Sequence, residues 1–139
     1  MSETVQIKTP WLASKDPEVP STLNYSTLSM CGRVEEMVRR YPDYIAYEFM
    51  GKCTTYAEMW KKINACAKSL KAIGIREGDK VTICMPNAPQ TLCMFYAVNM
   101  VGAIANMVHP LSAESEIAFY LRDSGSVAAI TLDQFYPKF

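Results

Sequence analysis

The sequence has no excess of charge: 14 basic residues balance 14 acidic ones over 139 residues. That excludes the basic stripe on which nucleic-acid binding depends, and any general pull toward an anionic membrane. Histidine is nearly missing. His109 is the only one, with no neighbour to pair with, so a zinc site of clustered ligands has no basis. The five cysteines, Cys31, Cys53, Cys66, Cys84 and Cys93, form no CxxC pair, which fits reduced thiols and a cytoplasmic location. No basic segment followed by an apolar one opens the chain, so no signal peptide is expected.

Glycine-rich loops are also lacking. The six glycines, at 32, 51, 74, 78, 102 and 125, are isolated, and no GxGxxG or GxxxxGK[ST] can be written. Charge disappears between Lys80 and Glu114. Within that gap Thr91 to Val108 is about the length of a membrane-spanning helix. Asn99, Gly102 and Asn106 interrupt it, however, and buried parallel strands with their connecting helix read the same way. No membrane span is expected.

What is present is alternation. Residues 1–26, with prolines at 10, 17 and 20, read as an extended arm that Trp11, Leu23 and Tyr25 pin to a surface. Residues 27–139 then read as one α/β unit. A helix is predicted over Leu28–Tyr41, stopped by Pro42. A hairpin follows, with Ile45, Tyr47 and Phe49 on one face and its turn at Gly51-Lys52. Thr55-x-x-Glu58 is a capping box. It opens a helix whose buried face is Tyr56, Met59, Trp60, Ile63, Ala67, Leu70 and Ile73, ended by Gly74. Lys61, Lys62, Lys68 and Lys71 form its solvated face.

Beyond it, strands are predicted at Val81–Met85, Ile104–Val108 and Val127–Leu132. The helices between them are Ala88–Val101, capped by Asn87, and one opened by Ser112 with Glu114 and Glu116 that ends near Gly125. One of Phe119 and Tyr120 should pack in the core. This β-α-β-α-β order implies a parallel sheet with right-handed crossovers. Any ligand belongs at the strands' carboxyl ends, near Pro86-Asn87, His109-Pro110 and Asp133.

No chemistry can be assembled there from the residues alone. The first turn, MPNAPQ, has two prolines that cannot donate and no glycine for close approach to a phosphate. His109 is the one candidate substrate-binding or basic residue, without an orienting partner in sequence. No nucleophile sits in a GxSxG-like elbow. Catalytic, cofactor-binding and metal residues are therefore expected to be none.

The ordered set of features resembles a known family. Gly78-Asp79 before a strand, Pro86-Asn87, Ala97 with Gly102-Ala103 at a helix end, Pro110, Glu116, Leu121 and Asp123-Ser124-Gly125 are similar to the N-terminal region of the AMP-forming acyl-CoA synthetases and their adenylate-forming relatives. WLASKDPEVPSTLNY and LDQFYPKF look most like the long-chain fatty acid–CoA ligase branch. The family's usual asparagine before the loop proline is His109 here.

The resemblance implies a partial N-terminal subdomain of the adenylate-forming fold. It implies ATP, Mg²⁺ and coenzyme A for the full-length enzyme, and the remainder of that synthetase as the partner of this stretch. The family's phosphate loop, nucleotide motifs and catalytic lysine domain find no counterpart in these residues, so the chain is expected to be inactive alone. A homodimer through uncovered surface is a further expectation. A free-standing nucleotide-binding or regulatory α/β module is the alternative.

Overall fold

The computed structural model describes residues 9–139; the part of the expected arm at residues 1–8 lies outside the described residues. Pro10–Ser14 forms a single 3-10 turn, and the chain to Ser29 is irregular. The arm is not pinned as expected. Trp11, Leu23 and Tyr25 are 62%, 62% and 84% exposed.

Helix α1 spans Met30–Arg40, with the Ser29 hydroxyl accepting from the Gly32 N–H at 3.1 Å. Strands β1 (Ile45–Phe49) and β2 (Lys52–Thr55) form an antiparallel hairpin. Its turn falls at Met50-Gly51, one residue earlier than expected, with both residues at positive φ. That is the backbone a two-residue hairpin loop needs to match strand twist. The register slips between Ile45 and Tyr47, so the expected inward face is broken: Tyr47 is half-buried while Ile45 is exposed.

Helix α2 is Tyr56–Ala72. Both bonds of its capping box are made, Glu58 N–H to Thr55 Oγ1 at 3.3 Å and Thr55 N–H to Glu58 Oε2 at 3.0 Å. Met59, Ile63, Ala67 and Leu70 are buried, and the four lysines are exposed. Ile73, expected on the buried face, is 72% exposed because the helix has ended and Gly74 (φ +97°) swings the chain away. Ile75 takes the buried position, and its N–H reaches Leu70 O.

The parallel sheet is as expected, built from β3 (Lys80–Cys84), β4 (Ile104–Met107) and β5 (Ala128–Thr131) in the order β4-β3-β5. Between them lie α3 (Pro89–Val101) and α4 (Glu114–Ser124). From β3 the chain crosses one way to β4, then back over β3 to β5. Right-handed crossovers in opposite directions put the two helices on opposite faces.

Strand alternation matches this. Val81, Ile83 and Met85 pack with Ala97, Val98 and Val101 of α3 and with Ala67 and Leu70 of α2. Cys84 packs with Val108 and Ile117 beneath α4. This second core is small. Phe119 and Tyr120, one of which was expected inside, are 54% and 38% exposed. They stack edge-to-face on each other, centroids 5.7 Å apart.

Two expected caps differ. Asn87 does not cap α3: the N-cap is Ala88, and Pro89 fixes the first helical φ. Ser112 does not open α4. Ala113 is the N-cap, and its N–H is held by Glu116 Oε2 at 2.9 Å. No helix among the described residues is long and apolar enough to cross a membrane, since α3 stops at the left-handed Gly102.

Candidate functional site

The sheet brings Asn87 and His109 to one hollow at its carboxyl edge, about 420 Å³ in volume. Its walls are the ends of β3 (Met85, Pro86, Asn87) and β4 (Met107 to Leu111), with Phe135 opposite. Thr91 Oγ1 donates to Pro86 O at 2.6 Å, and Thr131 Oγ1 donates to Cys84 O at 3.0 Å. These bonds stitch α3 and β5 to the end of β3. Asp133, the third position singled out in sequence, does not line the hollow. It is exposed, and its Oδ1 accepts from the Gln134 N–H.

His109 is exposed, and its Nδ1 accepts the Leu111 N–H at 3.2 Å. That bond puts the proton of a neutral ring on Nε2. No side chain of the described residues hydrogen-bonds the ring. His109 O accepts from the Ser112 N–H, closing the turn that carries Pro110.

Lys138 is the residue that sequence reading missed. From 28 residues downstream its Nζ donates to Pro110 O at 3.1 Å, and it also reaches Ser112 O at 3.0 Å. It lies 5.7 Å from the Phe135 ring centroid. Nothing local ties a lysine so far along the chain to this turn, because the pairing exists only once β5 lies beside β3. Its bonds are with loop carbonyls, so it fastens the 3-10 helix Asp133–Lys138 to the loop after β4.

What this hollow can do is limited by its lining. Apart from His109, no acidic or basic side chain lines it. Along the turn from β3 into α3, Pro86 and Pro89 have no N–H to offer. A triphosphate needs several convergent donors and a cation, and these residues do not fit one. Among the described residues no three His, Cys, Asp or Glu side chains converge to hold a metal ion.

The family follows from comparison with known proteins. The family model described as AMP-binding enzyme matches residues 34–138. The chain belongs to that family. It is 32% identical over 134 residues to the long-chain-fatty-acid–CoA ligase of Bacillus subtilis, covering 96% of this chain and 24% of that one. It is 42% identical over 76 residues to the long-chain-fatty-acid–CoA ligase FadD13 of Mycobacterium tuberculosis, covering 55% of this chain and 15% of that one. The crystal structure of the N-terminal domain of FACL13 from Mycobacterium tuberculosis superposes with a TM-score of 0.72 and 34% identity, covering 76% of this chain and 27% of that one. The N-terminal subdomain of Klebsiella oxytoca NpsA gives 0.72 at 27% identity, covering 75% and 27%. The family member described above thus has the fold of the opening part of these N-terminal domains, and spans about a quarter of the Bacillus relative's length.

Proposed function

We propose that this chain is the N-terminal portion of an ATP-dependent acyl-CoA synthetase of the fatty-acyl type. Its own contribution is a scaffold. The observation that carries this reading is the 32% identity to a long-chain-fatty-acid–CoA ligase, which runs through 96% of the chain rather than one motif. In such a ligase the acid's carboxylate attacks the α-phosphate of ATP, pyrophosphate leaves, and the thiol of coenzyme A displaces AMP. Mg²⁺ and cationic side chains stabilise the phosphate charge.

The hollow, lined by no Asp, Glu, Lys or Arg, supports placing those groups elsewhere in the full enzyme and none of its functional residues here. The boundary between an arm at 1–26 and a subdomain at 27–139 is part of the same reading, supported by the exposed irregular stretch before α1. Five free thiols support a cytoplasmic setting.

ATP–pyrophosphate exchange with a panel of fatty acids tests it. The 139 residues alone should give background. A chimera in which they replace the matching segment of the Bacillus subtilis ligase should exchange in a fatty-acid-dependent way. Acid-dependent exchange by the isolated chain that disappears on His109→Ala would overturn the scaffold reading and make His109 functional. Calorimetric binding of MgATP to the isolated chain would favour a free-standing nucleotide-binding module instead.

A further inference from the structure

The outer edge of β4 is an unpaired strand that complements itself. The N–H groups of Ile104 and Val108 point inward, to Asp79 O at 2.7 Å and Ile83 O at 3.0 Å, so alternation turns those of Ala105 and Met107 outward. The groups on either side are already engaged: the Ala103 N–H goes to Val98 O, and His109 O accepts from the Ser112 N–H. Ala105 and Met107 are therefore the residues whose backbone is open to a further strand. The edge sequence, IANM, is uncharged, and Ile104, Met107 and Leu111 lie exposed along it. Its two ends are unlike. Glu77 packs at the start, its Cγ 3.0 Å from where a Cβ on Gly102 would stand, and His109 follows the end.

We propose that β4 pairs antiparallel with β4 of a second copy about a twofold axis at Asn106, joining two three-stranded sheets into one of six strands. A twofold axis normal to the sheet makes the same edge meet itself with its direction reversed. The open groups fix the register. With Asn106 opposite its own equivalent, Ala105 of each copy meets Met107 of the other as a hydrogen-bonded pair, and each pair exchanges both its backbone bonds. A small side chain then faces a large one. No charged side chain of the strand has to leave water. The same register carries the Glu77 end of each copy to the His109 end of the other. A carboxylate acceptor thus meets a ring whose proton sits on Nε2, whereas parallel pairing would bring like ends together. The β5 edge lacks this fit: Val127 is the large apolar residue exposed at its start, and Asp133 follows its end. The interface belongs to the chain itself and does not rest on the synthetase reading.

Sedimentation equilibrium of the 139-residue chain should find monomer and dimer and no larger species. In the unaltered chain, amide exchange at Ala105 and Met107 should slow in step with the dimer fraction. Ile104 and Val108, already bonded within the chain, should keep the rates they have in the monomer, and no variant has to fold for this readout. A mixed-label sample should show an NMR contact between the Asn106 Hα protons of the two copies, which stand close in a non-hydrogen-bonded antiparallel pair. Ala105→Pro removes an outward donor without touching the inward ladder, and should give monomer with unchanged circular dichroism. Glu77→Lys should weaken the dimer about threefold, and adding His109→Glu should restore it. A chain that stays monomeric at NMR concentrations, a dimer whose Ala105 and Met107 amides exchange as fast as in the monomer, growth beyond the dimer, or a Glu77→Lys/His109→Glu chain that pairs no tighter than Glu77→Lys alone would each overturn the interface.

Discussion

At the scale of single residues, the polar track beneath α4 does the most to fix the sheet. Thr82 is fully buried in the central strand, and its Oγ1 is 2.8 Å from Ser126 Oγ while accepting Asn106 Nδ2 at 2.9 Å. Ser126 reaches on to Ser124 Oγ at 2.8 Å. One hydroxyl therefore ties β4 to the segment entering β5 across β3. Thr82→Val keeps the volume but strands the Asn106 amide, and should lower stability by about 1–3 kcal/mol in urea unfolding. Ser126→Ala leaves Thr82 bonded to Asn106 and Ser124 bonded to Leu121 O, so it should cost less.

The thiols give a second residue-scale prediction. Burial pushes Cys31, Cys66, Cys84 and Cys93 up from the ordinary thiol range. In the unfolded chain they titrate at about 8.5. The folded state thus holds its protons longer, and this contribution is intact below that pH and lost as pH rises through the folded values. The urea midpoint should fall on going from neutral to alkaline buffer. Replacing Cys84 and Cys93 by Ala should make that fall smaller.

Among the elements, legibility tracked how local the cause was. The α2 capping box was readable because both bonds join residues three apart, and losing the Thr55 hydroxyl by Thr55→Ala should cost about 1 kcal/mol. The three strands were readable from apolar runs bounded by turn residues. The two failed caps share one reason: a nearby residue had a stronger claim on the helix start, Pro89 through its fixed φ and Glu116 through its bond to Ala113. Ile73 and the Phe119-Tyr120 pair failed differently. Periodicity identifies a face, but only the packed chain decides where the face stops being covered. At the hollow, the gathering of Asn87 with His109 followed from strand order, whereas Lys138 arrived by a long-range path.

Helix ends yield a further test. Gly102 ends α3 at φ +85°, and a Cβ there would lie 3.0 Å from Glu77 Cγ and 3.3 Å from Glu77 Cβ. Gly74 ends α2 at φ +97° with nothing within 4 Å. Both Ala substitutions incur the left-handed cost of roughly 1–2 kcal/mol. Gly102→Ala should be the worse of the two, and the added cost should shrink in a Glu77→Ala background, which removes the 3.0 Å Cγ contact but keeps the Cβ. A double-mutant cycle in urea measures that coupling directly. Equal costs at the two glycines would show that Glu77 moves aside freely.

For the whole molecule, surface is the dominant fact. The chain exposes 10322 Å², whereas a compact monomer of 15.6 kDa exposes about 7,200 Å². Part of the excess is the arm, and part is apolar surface on the ordered body. Ile104 and Met107 on β4, Leu111 beyond it, Val127 before β5, and Phe119 on α4 are all at least half exposed. Neither outer strand carries a defence. IANM and AAIT contain no charge and no proline, the residues with which solvent-facing sheet edges are usually blunted. The N–H groups of Ile104 and Val108 go to Asp79 O, just ahead of β3, and to Ile83 O within it, which turns those of Ala105 and Met107 outward by strand alternation. Uncovered apolar surface and open edges both favour pairing. The isolated chain should therefore bind an apolar-surface dye and self-associate with rising concentration in sedimentation experiments. Because the driving surface is apolar, salt should not reverse it. Met107→Lys places a charge at the β4 edge and should shift the equilibrium toward monomer. A monomer at high concentration that binds no dye would mean that the arm covers this surface in solution, contrary to the exposure of Trp11, Leu23 and Tyr25.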